Sequence, residues 1–234
     1  MNGDIRVILT DIEGTTTPVS FVYDVLFPYA RARISAYVRD HRKDLTVLLA
    51  EVRQAGQGAD LTVDECIDLL LRWMDEDRKI APLKTVQGMI WREGYETGRY
   101  AGQMFPDVAP ALRSWTQRGC RVCIYSSGSV DAQELLFRHS DAGDLTPFIS
   151  GYFDTRIGDK KEAVSYSRIA REIGVAPSSV LFLSDHPDEL DAAARAGMTA
   201  LGLCRPGNLF PLEDRAAVNG FDEIDLTVLP SAIR

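Results

Sequence analysis

The chain has 234 residues, 45% of them hydrophobic and 26% charged, with 26 Lys and Arg against 34 Asp and Glu for a formal net charge of −8. That length suits a core of about 150 residues carrying an inserted piece, and the composition excludes a disordered or low-complexity chain. A mean surface of this sign repels polyanions, so no nucleic-acid partner is expected, and no apolar run reaches membrane-spanning length.

A small phosphorylated substrate stays open, because a metal ion and one Lys can oppose the field of the whole surface locally. The opening residues reach only the short apolar run Val7, Ile8, Leu9 before Asp11, so no signal peptide is expected and the location is expected to be cytoplasmic. Cys66, Cys120, Cys123 and Cys204 are too few and scattered for a disulfide framework. Cys120 and Cys123 match C-x-x-C, but strand alternation points positions i and i+3 to opposite faces. A monomer is expected.

Residues 4–10 read as a buried strand stopping at Glu13-Gly14. From Gly14 to about Phe105 no strand is convincing. Apolar residues recur at helical spacing over 21–38 and 83–100, Thr62 to Glu65 is a capping box opening the run 66–73, and Gln54 to Gly58 reads as a loop. The chain is therefore expected to divide into a core, 1–18 and 101–234, and an all-helical cap, 19–100, placed over the mouth of the core's sheet.

Beyond it follow a helix 109–118, a strand 121–126, a helix 130–139, a helix 162–173, a strand 180–183, a helix 188–196 and a strand Thr199–Leu203. Glycines at 119, 174 and 197 stop three of the helices. Strands alternating with helices of this length predict an α/β fold: a parallel sheet covered on both faces, with ligands at the carboxyl ends of its strands.

Asp11-Ile12-Glu13-Gly14-Thr15 directly follows the first strand, so two carboxylates can address one cavity. Alone, such a stretch reads more readily as a solvated turn. It has company at other strand ends: Ser126-Ser127-Gly128 before a helix, Lys160 after Gly158-Asp159, and Ser184-Asp185 followed by Glu189. Ser127 could also serve as a helix N-cap, and His186 could be read as a metal ligand.

These four elements, in this order, resemble the four motifs of the haloacid-dehalogenase-like (HAD) phosphohydrolases, a superfamily built on a Rossmann-like sheet. The resemblance implies that Asp11 is a covalent nucleophile and Glu13 the general acid and base. It further implies that Ser126, Ser127 and Lys160 hold the phosphoryl group, and that Asp11, Glu13 and Asp185 bind Mg2+, with Glu189 as a further ligand or one acting through water.

Most of the superfamily has Asp where this chain has Glu13, and the extra methylene moves the carboxyl by about 1.5 Å. A narrower family, the enolase-phosphatases of methionine salvage, carries D-I-E-G-T-T-T-P, matched at residues 11–18. Further stretches are similar to it: 21–29, 77–79, 83–91, 125–130, 153–158 and 205–208. The resemblance implies enolisation and dephosphorylation of 2,3-diketo-5-methylthiopentyl-1-phosphate.

Two other functions share parts of this pattern. A sugar-phosphate phosphatase or phosphomutase would share every core residue named. A phosphate-sensing receiver module also gathers an Asp, a Ser or Thr and a Lys around a magnesium ion, but needs neither Glu13 nor a helical insertion.

Overall fold

Val7, Ile8 and Leu9 are fully buried and form strand β1 (Val7–Thr10). At roughly 1.5–3 kcal/mol for each buried aliphatic side chain, this run alone anchors the segment that leads to Asp11. The computed structural model describes residues 5–58, 60–212 and 215–226; position 4 of the expected first strand lies outside them. Over the described residues the chain divides into two units, Met1–Phe21 with Ala101–Arg234, and Val22–Tyr100.

The second unit is all helix. After a π-helical turn at Phe21–Leu26 come α1 (Phe27–Asp40), α2 (Thr46–Ala55), α3 (Val63–Asp75) and α4 (Ala81–Glu96). Ile34 and Val38, Leu49 and Val52, Ile67 and Leu70, and Val86 and Ile90 share one buried cluster around Trp73. Each pair is three or four residues apart, so each helix turns one face inward. The Thr62 hydroxyl accepts from the Glu65 amide at 3.3 Å, while the Glu65 carboxylate accepts from the Thr62 amide at 2.7 Å. That reciprocal box starts α3. Helix α2 was not among the expected elements; it ends at Ala55, inside the stretch read as a loop.

The first unit continues with α5 (Val108–Gln117), β2 (Arg121–Tyr125), α6 (Val130–Arg138), β3 (Gly151–Phe153), α7 (Ala163–Ile173), β4 (Val180–Ser184), α8 (Pro187–Arg195), β5 (Thr199–Leu203) and β6 (Ala217–Val218). The sheet order is β3-β2-β1-β4-β5-β6, and every pairing is parallel. This is the α/β architecture expected from the alternation of strands and helices.

Val7 and Leu9 pack with Cys123, Tyr125, Val180 and Phe182 against Tyr166 and Ile169 of α7 and Leu190 of α8. Ile8, Val122, Ile124 and Leu181 alternate to the other face and are also fully buried. A sheet covered on both faces needs such unbroken apolar strands. The edge strands β3 and β6, with three and two residues, are too short to register as runs in the sequence. The four cysteines are free, and burial pushes the Cys123 thiol up to about 11.

Candidate active site

The strand order reverses at β1, with β2 and β3 on one side and β4 and β5 on the other. Open parallel sheets bind ligands outside the carboxyl ends of their strands at such a reversal. Thr10 pairs with Ile124 of β2 and with Leu183 of β4, so the residues that follow these strands, Asp11, Ser126 and Asp185, emerge on one edge of the sheet. The Asp11 amide donates to Leu183 O at 2.9 Å, and the Ser126 amide to Phe153 O at 3.1 Å. Sheet-like bonding thus persists one residue beyond the strands and fixes where both side chains start.

The loop after Asp11 is wound around one carbonyl. Ile12 O accepts from the amides of Thr15, Thr16 and Thr17 at 3.1, 2.9 and 3.0 Å. Gly14 has φ +72°, and a Cβ there would run into Asp185 Oδ2 and come within 3.0 Å of Asn208 Oδ1. Only glycine serves at this position. Glu13 forms a bridge with Thr17 and is partly exposed, whereas Asp11 is 5% exposed.

Arg205 ties this loop to the rest of the unit. Its Nε donates to Thr15 O at 3.1 Å, its two terminal nitrogens grip Asp107 at 2.8 and 2.7 Å, and its guanidinium lies over the rings of Phe105 and Phe221. Burial alone would raise the Asp107 carboxyl, but Arg205 and the Phe221 amide hold it below the usual carboxylate range.

Lys160 Nζ lies 2.5 Å from Asp11 Oδ1 and 2.8 Å from Glu189 Oε2. The same Glu189 oxygen accepts from Ser184 Oγ at 2.9 Å. Tyr166 Oη donates to Lys160 O at 2.7 Å and Tyr125 Oη to Gly158 O at 3.0 Å, which pins the loop carrying the ammonium. Asp11, Lys160, Asp185 and Glu189 are each less than one-tenth exposed. Ionisable groups gathered this densely are the usual mark of a working site.

The charges do not balance. Burial lifts the Asp11 carboxyl to about 6 even though Lys160 pulls it down. Asp185 is lifted to about 7 by burial and then by the negative charges of Asp11 and Glu189. Burial draws the Lys160 ammonium down, but Asp11 and Glu189 more than reverse this and leave it above its ordinary value. One ammonium thus faces several buried carboxylates, an arrangement short of positive charge.

The groups gathered beside that ammonium are all oxygen donors: the carboxylates of Asp11 and Asp185, and Asn208 Oδ1, which is buried without a hydrogen-bond partner and lies close to Asp185 over Gly14. Such hard donors suit Mg2+. Among the described residues, no three His, Cys, Asp or Glu gather as a cage.

Ser126 Oγ accepts from the Gly128 amide at 3.2 Å, and Gln133 Nε2 reaches Gly128 O and Phe153 O at 2.8 and 2.9 Å, which fastens the loop before α6. Ser127 does not cap that helix: Ser129 Oγ accepts from the Ala132 amide at 3.3 Å and does so instead. His186 is likewise a cap, with Nδ1 accepting from the Asp188 amide at 3.2 Å and the ring 4.3 Å from that of Phe210. From the sequence, Ser184 is named only as the residue before Asp185, without a role, Gln133 is not named, and Arg205 and Asn208 appear only as part of a matching stretch. Gln133, Arg205 and Asn208 do not sit in a pattern that spacing alone would flag.

A family model for haloacid dehalogenase-like hydrolases matches residues 5–197. The chain is 53% identical over 205 residues to a protein of Thioalkalivibrio sulfidiphilus named enolase-phosphatase E1, covering 87% of this chain and 91% of that one. A Pseudomonas aeruginosa protein of the same name is 50% identical over 222 residues, covering 94% and 98%. The crystal structure of the UTR4 protein of Saccharomyces cerevisiae is similar with a TM-score of 0.82 at 35% identity, covering 94% of this chain and all of that one.

Proposed function

The chain belongs to the haloacid dehalogenase-like hydrolases, and from that membership and its enolase-phosphatase relatives we infer that it is an enolase-phosphatase of methionine salvage. It converts 2,3-diketo-5-methylthiopentyl-1-phosphate to 1,2-dihydroxy-3-keto-5-methylthiopentene and releases phosphate. One observation carries the chemistry: a buried carboxylate at the reversal of strand order, Asp11, held at 2.5 Å by an equally buried ammonium, Lys160.

The roles of the residues follow as proposals. An Asp11 carboxylate oxygen attacks phosphorus, the bond from phosphorus to the substrate oxygen breaks, and Glu13 gives that oxygen its proton. Left ionised, Glu13 then takes a proton from water as the water attacks the aspartyl-phosphate, which restores Asp11 and frees phosphate. Lys160 and the Ser126-Ser127-Gly128 turn hold the phosphoryl oxygens, and the amides ahead of α6 add dipoles of the right sign. Glu13 is also the first candidate for removing the carbon-bound proton during enolisation.

Mg2+ would be held by Asp11 and Asp185, with Glu13 alongside, and when bound it supplies positive charge that phosphoryl transfer needs. Glu189 contributes through Lys160, whose ammonium it orients together with Ser184. Phosphate monoester hydrolysis can require an acceleration of about 10²¹-fold, roughly 28 kcal/mol of barrier, so no one of these groups suffices alone. We assign substrate selection to the helical segment 19–100, where several of the matching stretches lie. The substrate is a small phosphorylated molecule, with no nucleic-acid or membrane partner, and the protein acts as a cytoplasmic monomer.

The test is an ultraviolet time course on the diketo phosphate with parallel phosphate measurement. An enol absorbance rising before phosphate, abolished in Asp11→Asn and by chelators, is expected. Turnover that survives Asp11→Asn, or that ignores chelation, would remove the assignment.

A further inference from the structure

Asn208 lies beyond β5, in a turn where its amide donates to Arg205 O at 3.2 Å and Gly207 takes φ +85°. Its side-chain Nδ2 donates to Leu203 O at 2.7 Å. That bond sets the orientation of the amide: exchanging the nitrogen and oxygen would press Oδ1 against the Leu203 carbonyl, two acceptors with no proton between them. The assigned orientation turns Oδ1 inward, where it is buried and receives no hydrogen bond from the described residues.

The space that Oδ1 faces is the one over Gly14. A Cβ on Gly14 would sit 3.0 Å from Asn208 Oδ1 and would collide with Asp185 Oδ2. The absent Cβ of Gly14 makes room for the Asp185 carboxylate, and Asp185 Oδ2 and Asn208 Oδ1, from different loops, both lie close to that one point, within reach of a single bridging water. Buried acceptors that face each other call for a donor between them. Both protons of a water bound to a divalent cation can serve, since Mg2+ retains several waters and polarises each of them.

We propose that Asn208 Oδ1 accepts a hydrogen bond from a water in the coordination sphere of the cation held by Asp11 and Asp185, and so positions that cation. The proposal rests on the metal site assigned under the proposed function. Asn208 is a positioning residue, acting through the cation's water and not on the substrate. The Asn208-Leu203 bond and the anchoring of the same turn by Arg205 place this acceptor before any ion arrives.

The experiment is calorimetric titration of Mg2+ into the metal-free full chain, as wild type, Asn208→Ala, Asn208→Asp and Asp185→Asn. Wild type binds and Asp185→Asn binds far more weakly. Asn208→Ala, which deletes the acceptor, is expected to weaken binding by roughly 10–100-fold, the usual effect of losing a partner of a coordinated group. Asn208→Asp keeps an acceptor oxygen but sets a second oxygen against the Leu203 carbonyl in place of the Nδ2 donor, so it is expected to bind Mg2+ more tightly than Asn208→Ala, with a larger Mg2+-induced rise in melting temperature. Binding by Asn208→Ala within about twofold of wild type overturns the proposal, as does an equal loss in both Asn208 variants. If wild type itself fails to bind Mg2+, the metal site falls and this inference with it; if wild type binds and Asp185→Asn weakens binding while Asn208→Ala does not, the inference alone falls.

Discussion

Replacing Lys160 with Met tests the electrostatic account of the site most directly. The Lys160 side chain is 10% exposed and lies between Asp11 and Glu189, themselves 7% and 9% exposed. Removing one partner of a buried ion pair typically costs about 3–5 kcal/mol, chiefly because the charge left behind has neither solvent nor partner. In a chain of this length each kcal/mol moves the melting temperature by about 2–4 °C, so a fall of roughly 6–20 °C is expected in the metal-free protein. Adding Glu189→Gln removes one of the stranded carboxylates, so the double variant should be more stable than the two single losses predict, by about 0.5–3 kcal/mol of coupling. Urea unfolding of the four proteins, without metal, supplies the cycle. Additivity within about 0.5 kcal/mol would refute the reasoning, since it would mean that Lys160 and Glu189 do not neutralise each other.

Two further outcomes follow from the same charges and from the loop's anchor. Asp11 and Asp185 have folded-state values raised to about 6 and about 7, so the folded chain binds more protons than the unfolded one between an ordinary carboxyl value and neutrality. Their contribution to stability is therefore complete at low pH and lost as the pH rises through about 7. The metal-free melting temperature should carry a downward component from about pH 5 to pH 8, and saturating Mg2+ should cancel it by favouring the ionised carboxylates; a profile unaffected by Mg2+ would contradict this. Arg205→Lys keeps the charge but loses the fork to Asp107 and the bond to Thr15 O. It should cost about 1.5–3 kcal/mol in urea unfolding and lower kcat more than it raises KM, because the loop it tethers aims Asp11.

The sheet was legible because its strands are buried on both faces. Val7 to Leu9 and Val180 to Leu183 read as continuous apolar runs, each closed by small or acidic polar residues and set between helical patterns. Edge strands β3 and β6 escaped because two or three residues carry no period, and pairing with a neighbour makes them strands. Helix α2 escaped for a different reason: Leu48, Leu49 and Val52 do share a face, but the Gln and Gly cluster that overlaps its end carries the composition of a loop. Ser127 and Ser129 differ as cap candidates by only two residues, and the sequence cannot say which hydroxyl meets a free amide.

Asp11, Lys160 and Asp185 could be named from the sequence because, with the Ser126-Ser127-Gly128 turn, they fall in the order of the four motifs of the haloacid-dehalogenase-like phosphohydrolases. What makes them a unit could not. Lys160 is 149 residues from Asp11, and its second partner, Glu189, is steered by a hydroxyl on β4 that sequence spacing gives no reason to notice. The loop from Asp11 to Thr17 shows why this matters for chemistry. Three amides converge on Ile12 O, Arg205 holds Thr15 O, and Gly14 leaves room for Asp185 and Asn208. Every one of these contacts is between backbone or supporting groups, and none touches phosphorus. They fix the carboxylate's position in advance, so that reorganisation energy is not spent during the reaction. With Asp11 in its proposed role as nucleophile, a substitution that left all the chemical groups intact but loosened this winding would act as a catalytic defect, because such a rate depends on where the attacking oxygen is held as much as on its charge.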